Sequence, residues 1–306
     1  MNKYKPTFLN LITLIGIVVG ICFSAVAENK LSDEWNAVSA KKDTYFQDKD
    51  HKIEGKYSEK FILKHGDCGQ YSGYNDCIND RGRVEKQQKF IHGKEHWYKF
   101  SFFIDQSWPT KYAYSTTISQ SKTMNTRPGV WYLKLEYGDL TLEFPMIDQR
   151  CDVLATFEDL VNKWTEVVLY TNLSDKTTEW IDNPKKKAAV WINGERKKLY
   201  CGYSIDEYGL IPKVYQNDFR KDGTSFKYGM YHYYVSNDLA KLNPNIELPG
   251  WVDGDASGKG QNAKSKTNDP WSIDWPIKYP NKTIWWDNLE HKVSGKNVFN
   301  MDLSNP

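Results

Sequence analysis

Three segments place ionisable and amide side chains at alternate positions: Arg81, Arg83 and Glu85; Gln120 and Lys122; and Lys227, Gly229, Tyr231 and Tyr233. In a β-strand alternate residues share a face, so each segment offers its polar groups to one side. Brought onto one sheet face, Arg83, Gln120, Lys122, Lys227 and Tyr231 would converge in a groove, with Gly229 leaving space for a ring to approach the backbone. That set suits β-elimination beside a carboxylate. A weakly acidic carbon gives up its proton, the carboxylate becomes enolate-like, and the oxygen on the next carbon leaves. Arg83, Gln120 and a lysine would stabilise the developing charge. Tyr231 would protonate the leaving oxygen and could also take the proton, aided if Lys227 or Arg83 favours its phenolate. Each residue also has a plainer reading. Arg83 with Glu85 could be a same-face ion pair, Lys227 a solvated lysine and Tyr231 an aromatic at the rim of the core.

Runs rich in Val, Ile, Tyr, Phe, Trp and Thr must position these groups. They recur between Gly, Asn, Asp and Pro breaks at Phe61 to Lys64, Arg83 to Ile91, His96 to Ile104, Tyr112 to Gln120, Trp131 to Glu136, Leu140 to Phe144, Thr165 to Thr171, Ala188 to Ile192, Phe226 to Val235 and Thr283 to His291. About ten strands predict an all-β sandwich or jelly roll of two packed sheets. Strong helix candidates are few; Thr156 to Lys163 has a Thr cap and acids in its first turn, but it is short and reads equally as a surface turn.

The chain has 306 residues, 40% hydrophobic, 15% aromatic and 26% charged, a balance that argues against disorder, coiled coil and a multi-span membrane protein. Residues 1–27 read as a secretory signal: Lys3 and Lys5, an apolar run from Leu9 to Phe23, then Ala25-Val26-Ala27. Residues 28–306 would then form a single secreted or periplasmic domain. Removing two lysines brings Lys plus Arg from 41 to 39, equal to the 39 Asp plus Glu, so the mature chain has no basic surplus for nucleic acid. No membrane partner is expected after cleavage, and a monomer is expected.

Four cysteines remain, Cys68, Cys77, Cys151 and Cys201, an even number suited to an oxidising compartment. Of the three connectivities, Cys68 to Cys77 closes a short Gly-, Tyr- and Asn-rich loop and leaves Cys151 to Cys201. The proline-rich stretch from Asn243 to Pro280 reads as a long loop, whose Trp251, Trp271 and Trp275 would line a carbohydrate groove or tack the loop to the sheet. Within it Asp253, Asp255, Ser257 and Gly258 imitate the start of a calcium loop, but Lys264 stands where the pattern needs a bidentate Glu. No cofactor is expected, with calcium the alternative.

Seven blocks, read in order, resemble the polysaccharide lyase superfamily of β-jelly-roll fold that includes heparin lyase I-like and glucuronan lyase-like enzymes. They are Asp80-Arg81-Gly82-Arg83-Val84-Glu85, Gly93-Lys94-Glu95-His96-Trp97-Tyr98-Lys99-Phe100-Ser101, Ile118-Ser119-Gln120-Ser121-Lys122, Lys163-Trp164-Thr165-Glu166-Val167-Val168, Val190-Trp191-Ile192-Asn193-Gly194, Phe226-Lys227-Tyr228-Gly229-Met230-Tyr231 and Ile284-Trp285-Trp286-Asp287-Asn288-Leu289. The resemblance implies a concanavalin A-like two-sheet sandwich acting on an acidic polysaccharide. Arg83, Gln120, Lys227, Tyr231 and Lys122 would be catalytic, and Arg81, Glu85, Tyr233 and Trp251 would bind substrate. Heparin lyase I-like members commonly carry a His two residues after the Gln, where this chain has Lys122. The proton acceptor is therefore open among Tyr231, Lys122 with a lowered pKa, and a histidine from elsewhere. His65, just before the first cysteine loop, could reach the groove, whereas His232 alternates with Tyr231 and should face the other way.

Two other classes compete. A glycoside hydrolase would need two carboxylates flanking the scissile bond, and Glu85 and Glu136 are single acids on separate strands. A lectin-like protein could use the same fold and aromatics without chemistry. Few arginines and neutral overall charge lean away from heavily sulfated chains, toward glucuronan- or alginate-like polymers.

Overall fold

The computed structural model describes residues 35–39, 43–71, 74–76, 81–93, 95–110, 115–123, 129–144, 149–172, 188–201, 203–204, 223–233, 235, 238, 278 and 280–302. The expected signal segment and the loop with Trp251, Trp271, Trp275 and the calcium-like Asp253 to Lys264 lie outside them.

The strands are β1 (Trp35–Ser39), β2 (Tyr45–Asp48), β3 (Ser58–Leu63), β4 (Gln70–Tyr71), β5 (Tyr74–Asn75) and β6 (Gly82–Gln88). There follow β7 (Glu95–Ile104), β8 (Thr116–Thr123), β9 (Trp131–Glu136), β10 (Asp139–Phe144), β11 (Gln149–Ala155) and β12 (Lys163–Asn172). The last are β13 (Ala188–Ile192), β14 (Glu195–Lys197), β15 (Tyr200–Cys201), β16 (Tyr203–Ser204), β17 (Thr224–His232) and β18 (Lys282–Val293). Two seven-stranded antiparallel sheets dominate, ordered β1-β6-β17-β8-β9-β10-β11 and β14-β13-β12-β7-β18-β3-β2. They pack face to face as the expected β-jelly roll.

Alternation builds the core between them. From the second sheet β7 turns Tyr98, Phe100, Phe102 and Ile104 inward, beside Phe61, Val167, Leu169, Val190, Ile284 and Trp286. The first sheet answers with Val84, Trp131, Leu133, Leu135, Leu140, Leu142, Phe226, Tyr228 and Met230. The residues of β7 that alternate with these face outward, where Trp97 packs with Tyr170 and Trp191 under Val298, Phe299 and Met301 of the C-terminal segment. Indole donors tie that segment down: Trp97 Nε1 to the Ser294 carbonyl at 3.2 Å and Trp191 Nε1 to the Asp302 carbonyl at 3.0 Å. Asn193 and Gly194 both have positive φ, 52° and 80°, and close the β13–β14 hairpin with the backbone twist that Asn-Gly favours.

The helix expected over Thr156 to Lys163 shrinks to one turn, α1 (Phe157–Leu160). Asp159 caps it by accepting the Thr156 N–H at 3.3 Å and its hydroxyl at 2.8 Å. Asn162, at φ 56°, then reverses the chain, and from Lys163 the ten-residue pairing of β12 with β7 takes over from helix propensity. Strands β1, β2 and β11 were not expected from the sequence; they lie at or next to sheet edges, where one-sided pairing needs less apolar alternation.

Polar side chains also enter the core, where Lys86, Glu59, Tyr45 and Tyr228 form one hydrogen-bonded cluster. Lys86 Nζ donates to Glu59 Oε1 at 2.7 Å and to the Tyr45 hydroxyl at 2.6 Å, and the Tyr228 hydroxyl donates to Glu59 Oε2. Cys68 is buried and disulfide-bonded. Cys77 and the side chains of Cys151 and Cys201 lie outside the described residues, although the strands that carry the latter two, β11 and β15, are in contact.

Candidate active site

Strands β6, β17 and β8 lie side by side, so the three alternating segments meet on the outer face of the first sheet. Arg83 pairs with Tyr231 and Glu85 with Gly229 across β6–β17, while Lys227 pairs with Gln120 and Ser225 with Lys122 across β17–β8. The convergence expected of Arg83, Gln120, Lys122, Lys227 and Tyr231 is thus a matter of register. A bulge in β8 between Thr117 and Ser119 turns Gln120 to this face while Ser121 meets Tyr98 in the core.

The groups interlock. Gln120 Nε2 donates to Glu85 Oε1 at 2.6 Å, reaching across the intervening β17. Arg83 Nε lies 3.5 Å from Glu85 Oε2 and 3.1 Å from Asp76 Oδ2. The Arg83 guanidinium carbon stands 4.2 Å from the centre of the Tyr231 ring, and that of Arg81 stands 4.3 Å from the Tyr233 ring. Arg81 also donates from Nη2 to the Tyr233 hydroxyl at 2.9 Å, and the two tyrosine rings meet edge to face at 5.7 Å. Arg83, Gln120 and Lys227 are buried, Tyr231 is half-buried and Tyr233 is exposed. The same-face Arg83–Glu85 pair and the convergence of these side chains therefore coexist.

Burial sets the ionisation of this cluster. Lys227 is drawn down to about 8, first by burial and then by Arg83 and Lys122, against the pull of Glu85 and Asp76. It is therefore not the solvated lysine of the plainer reading. Asp76, fully buried, is pushed up to about 6 by burial, with Arg83 and Arg81 opposing. Tyr231 corrects an expectation: Arg83 and Arg81 do favour its phenolate, but burial outweighs them and holds its pKa well above 10. Burial thus favours the neutral phenol, the form that can donate a proton.

Two further expectations change. Gly229 does not leave space for a sugar: at φ 129° its missing Cβ would lie 2.3 Å from the Val84 carbonyl oxygen, inside the neighbouring strand, so backbone packing demands the glycine. Glu85 is fully buried and engaged by Gln120 and Arg83, so it braces those two side chains instead of reaching a polymer. His232 faces away from the groove, as expected, and its Nε2 lies 2.6 Å from Asp238 Oδ2 and its Nδ1 2.9 Å from Lys282 Nζ. His65 sits half-buried in the Lys64–Asp67 turn, and the Asp67 carbonyl of that turn packs against Gly82 at the start of β6. Trp251 lies outside the described residues. Sequence reasoning missed Asp76, whose only signal was its place beside Cys77 in the first cysteine loop. Among the described residues no group of three or more His, Cys, Asp or Glu could hold a metal ion.

A family model described as polysaccharide lyase matches residues 28–243. The chain belongs to that family. Solved structures similar to this lyase include an endo-β-1,4-glucuronan lyase from the fungus Trichoderma reesei, 12% identical, covering 86% of this chain and 92% of that one with a TM-score of 0.49. Another is the alginate lyase PA1167 from Pseudomonas aeruginosa, 11% identical, covering 85% and 98% with a TM-score of 0.43. A third is the cellulose induced protein Cip1, 10% identical, covering 85% and 92% with a TM-score of 0.44. A search of curated proteins gave no match.

Proposed function

We propose that this polysaccharide lyase is secreted and cleaves a uronate polymer, glucuronan- or alginate-like, by β-elimination on the outer face of the first sheet. The observation that carries the reading is the convergence of Arg83, Gln120, Lys227 and Tyr231 across three paired strands. Arg83 and Gln120 hold the uronate carboxylate. One Gln120 amide N–H is committed to Glu85, and the second donates to the carboxylate as it becomes enolate-like. Lys227, brought to about 8, is poised near neutrality to accept the proton from the carbon beside the carboxylate. The C–H electrons form the new double bond, the C–O bond breaks, and the neutral Tyr231 phenol protonates the departing oxygen. No water is consumed.

The test is a time course of ultraviolet absorbance on a panel of uronate polysaccharides, with Tyr231→Phe as the control. Absorbance from the unsaturated product should rise on one polymer and fall by roughly 10²- to 10⁴-fold in the folded variant, the usual worth of a proton-transfer group. Turnover undiminished in folded Tyr231→Phe would remove the assignment. New reducing ends without absorbance would mean hydrolysis, and retention on the polymer without either would mean a lectin.

A further inference from the structure

Asp76 stands behind the site on a support of its own. Its N–H donates to the Gly69 carbonyl at 2.8 Å, and its carbonyl accepts the Arg81 N–H at 3.1 Å. Gly69 follows the disulfide-bonded Cys68, so the backbone at Asp76 is tied both to the bridged turn and to the entry of β6. The side chain is 0% exposed. Asp76 Oδ2 and Glu85 Oε2 lie 3.1 and 3.5 Å from Arg83 Nε.

We propose that Asp76 is a positioning residue for the elimination: it fixes the Arg83 guanidinium above the Tyr231 ring. This rests on the reading above that Arg83 and Tyr231 do the chemistry. A buried arginine held by Glu85 alone, at 3.5 Å and on its own strand, could swing about its long side chain. A second carboxylate from a different element, hydrogen-bonded to the turn that carries the disulfide-bonded Cys68, removes that freedom, and fixed geometry is what a charge-stabilising group needs. Asp76 also adds a negative charge to a cluster that holds Arg81, Arg83, Lys227 and Lys122 against Glu85. Its carboxyl, held up at about 6, protonates in mild acid and then releases its charge-based grip on Arg83.

The experiment compares wild type, Asp76→Ala and Asp76→Asn on the polymer identified above, reading kcat, KM and their pH profiles from pH 5 to 9. Asp76→Ala should lower kcat roughly 10- to 100-fold with a smaller change in KM, because a misplaced group costs about that much. Asp76→Asn, which keeps an oxygen acceptor without the charge, should recover part of kcat. Wild type should show an inflection near pH 6 that is absent from Asp76→Asn. A merely structural role would lower stability and active fraction but leave that inflection in place. Equal kcat in folded Asp76→Asn and wild type, with the same acid inflection, overturns the proposal. If Tyr231→Phe is also fully active, the fault lies with the reading of the site and not with Asp76.

Discussion

Mild acid should destabilise this fold, and the histidines of the core set the amount. His96 is buried with Nε2 donating to the Gly93 carbonyl at 3.1 Å and Nδ1 2.9 Å from His291 Nε2. One proton per ring satisfies that chain when Gln88 turns its NH2 toward His291 Nδ1. His232 is likewise satisfied as a neutral ring, its Nε2–H facing Asp238 and its Nδ1 accepting from Lys282. Burial holds both His96 and His232 down at about 4, reinforced at His232 by Lys282. A histidine with its folded pKa below the unfolded 6.5 contributes stability that is full above pH 6.5 and is lost as pH falls toward the folded value. Going from pH 7.5 to 5.0, each of the two loses about 2 kcal/mol by this linkage. Asp76 runs the other way: its folded pKa, about 6, exceeds the unfolded value, so protonation returns about 1 kcal/mol over the same interval. The net loss should be about 3 kcal/mol, with His291, held down at about 3 but part-exposed, adding a smaller amount. Urea unfolding followed by tryptophan fluorescence at half-unit pH steps measures it. The variant His232→Asn, whatever its absolute stability, should lose about 2 kcal/mol of the pH dependence. Stability that stays flat or rises between pH 7 and 5 would refute the reasoning.

Lys86→Met should cost about 3 to 5 kcal/mol in urea unfolding, because it leaves the Glu59 carboxylate buried without its cation; adding Glu59→Leu should recover much of that loss. Gly229→Ala should both destabilise the protein, by about 2 kcal/mol or more, and abolish turnover, since the new methyl displaces β6 at Glu85; thermal melting and the absorbance assay read the two effects. The rate kcat/KM should rise through about pH 8 as Lys227 loses its proton, and a profile that falls over that range would assign the base elsewhere. Ending the chain after Val293 should lower the melting temperature by several degrees while leaving kcat at 25 °C unchanged, because the strap covers Trp97 and Trp191 on the sheet opposite the groove.

Strand positions were legible because the two faces of a half-buried strand demand period-two alternation, as in Trp131 to Glu136, and because a short apolar run such as Ala188 to Ile192, closed by Asn-Gly, reads as a fully buried strand; both match their observed bounds. The same periodicity assigned Arg83, Lys227 and Tyr231 to shared faces, since a strand's side chains have no third direction. It could not say which strands are neighbours. That β17 lies between β6 and β8 follows from sheet order, and only that order lets Gln120 reach Glu85. Ionisation was equally out of reach. The β6–β17 register sets Arg83 beside Tyr231, but whether charge or desolvation wins depends on how much protein surrounds the phenol, and burial wins. Asp76 illustrates the same division: the sequence places it in a short cysteine-bounded loop, and the tertiary packing of that loop against β6 puts its carboxylate on Arg83.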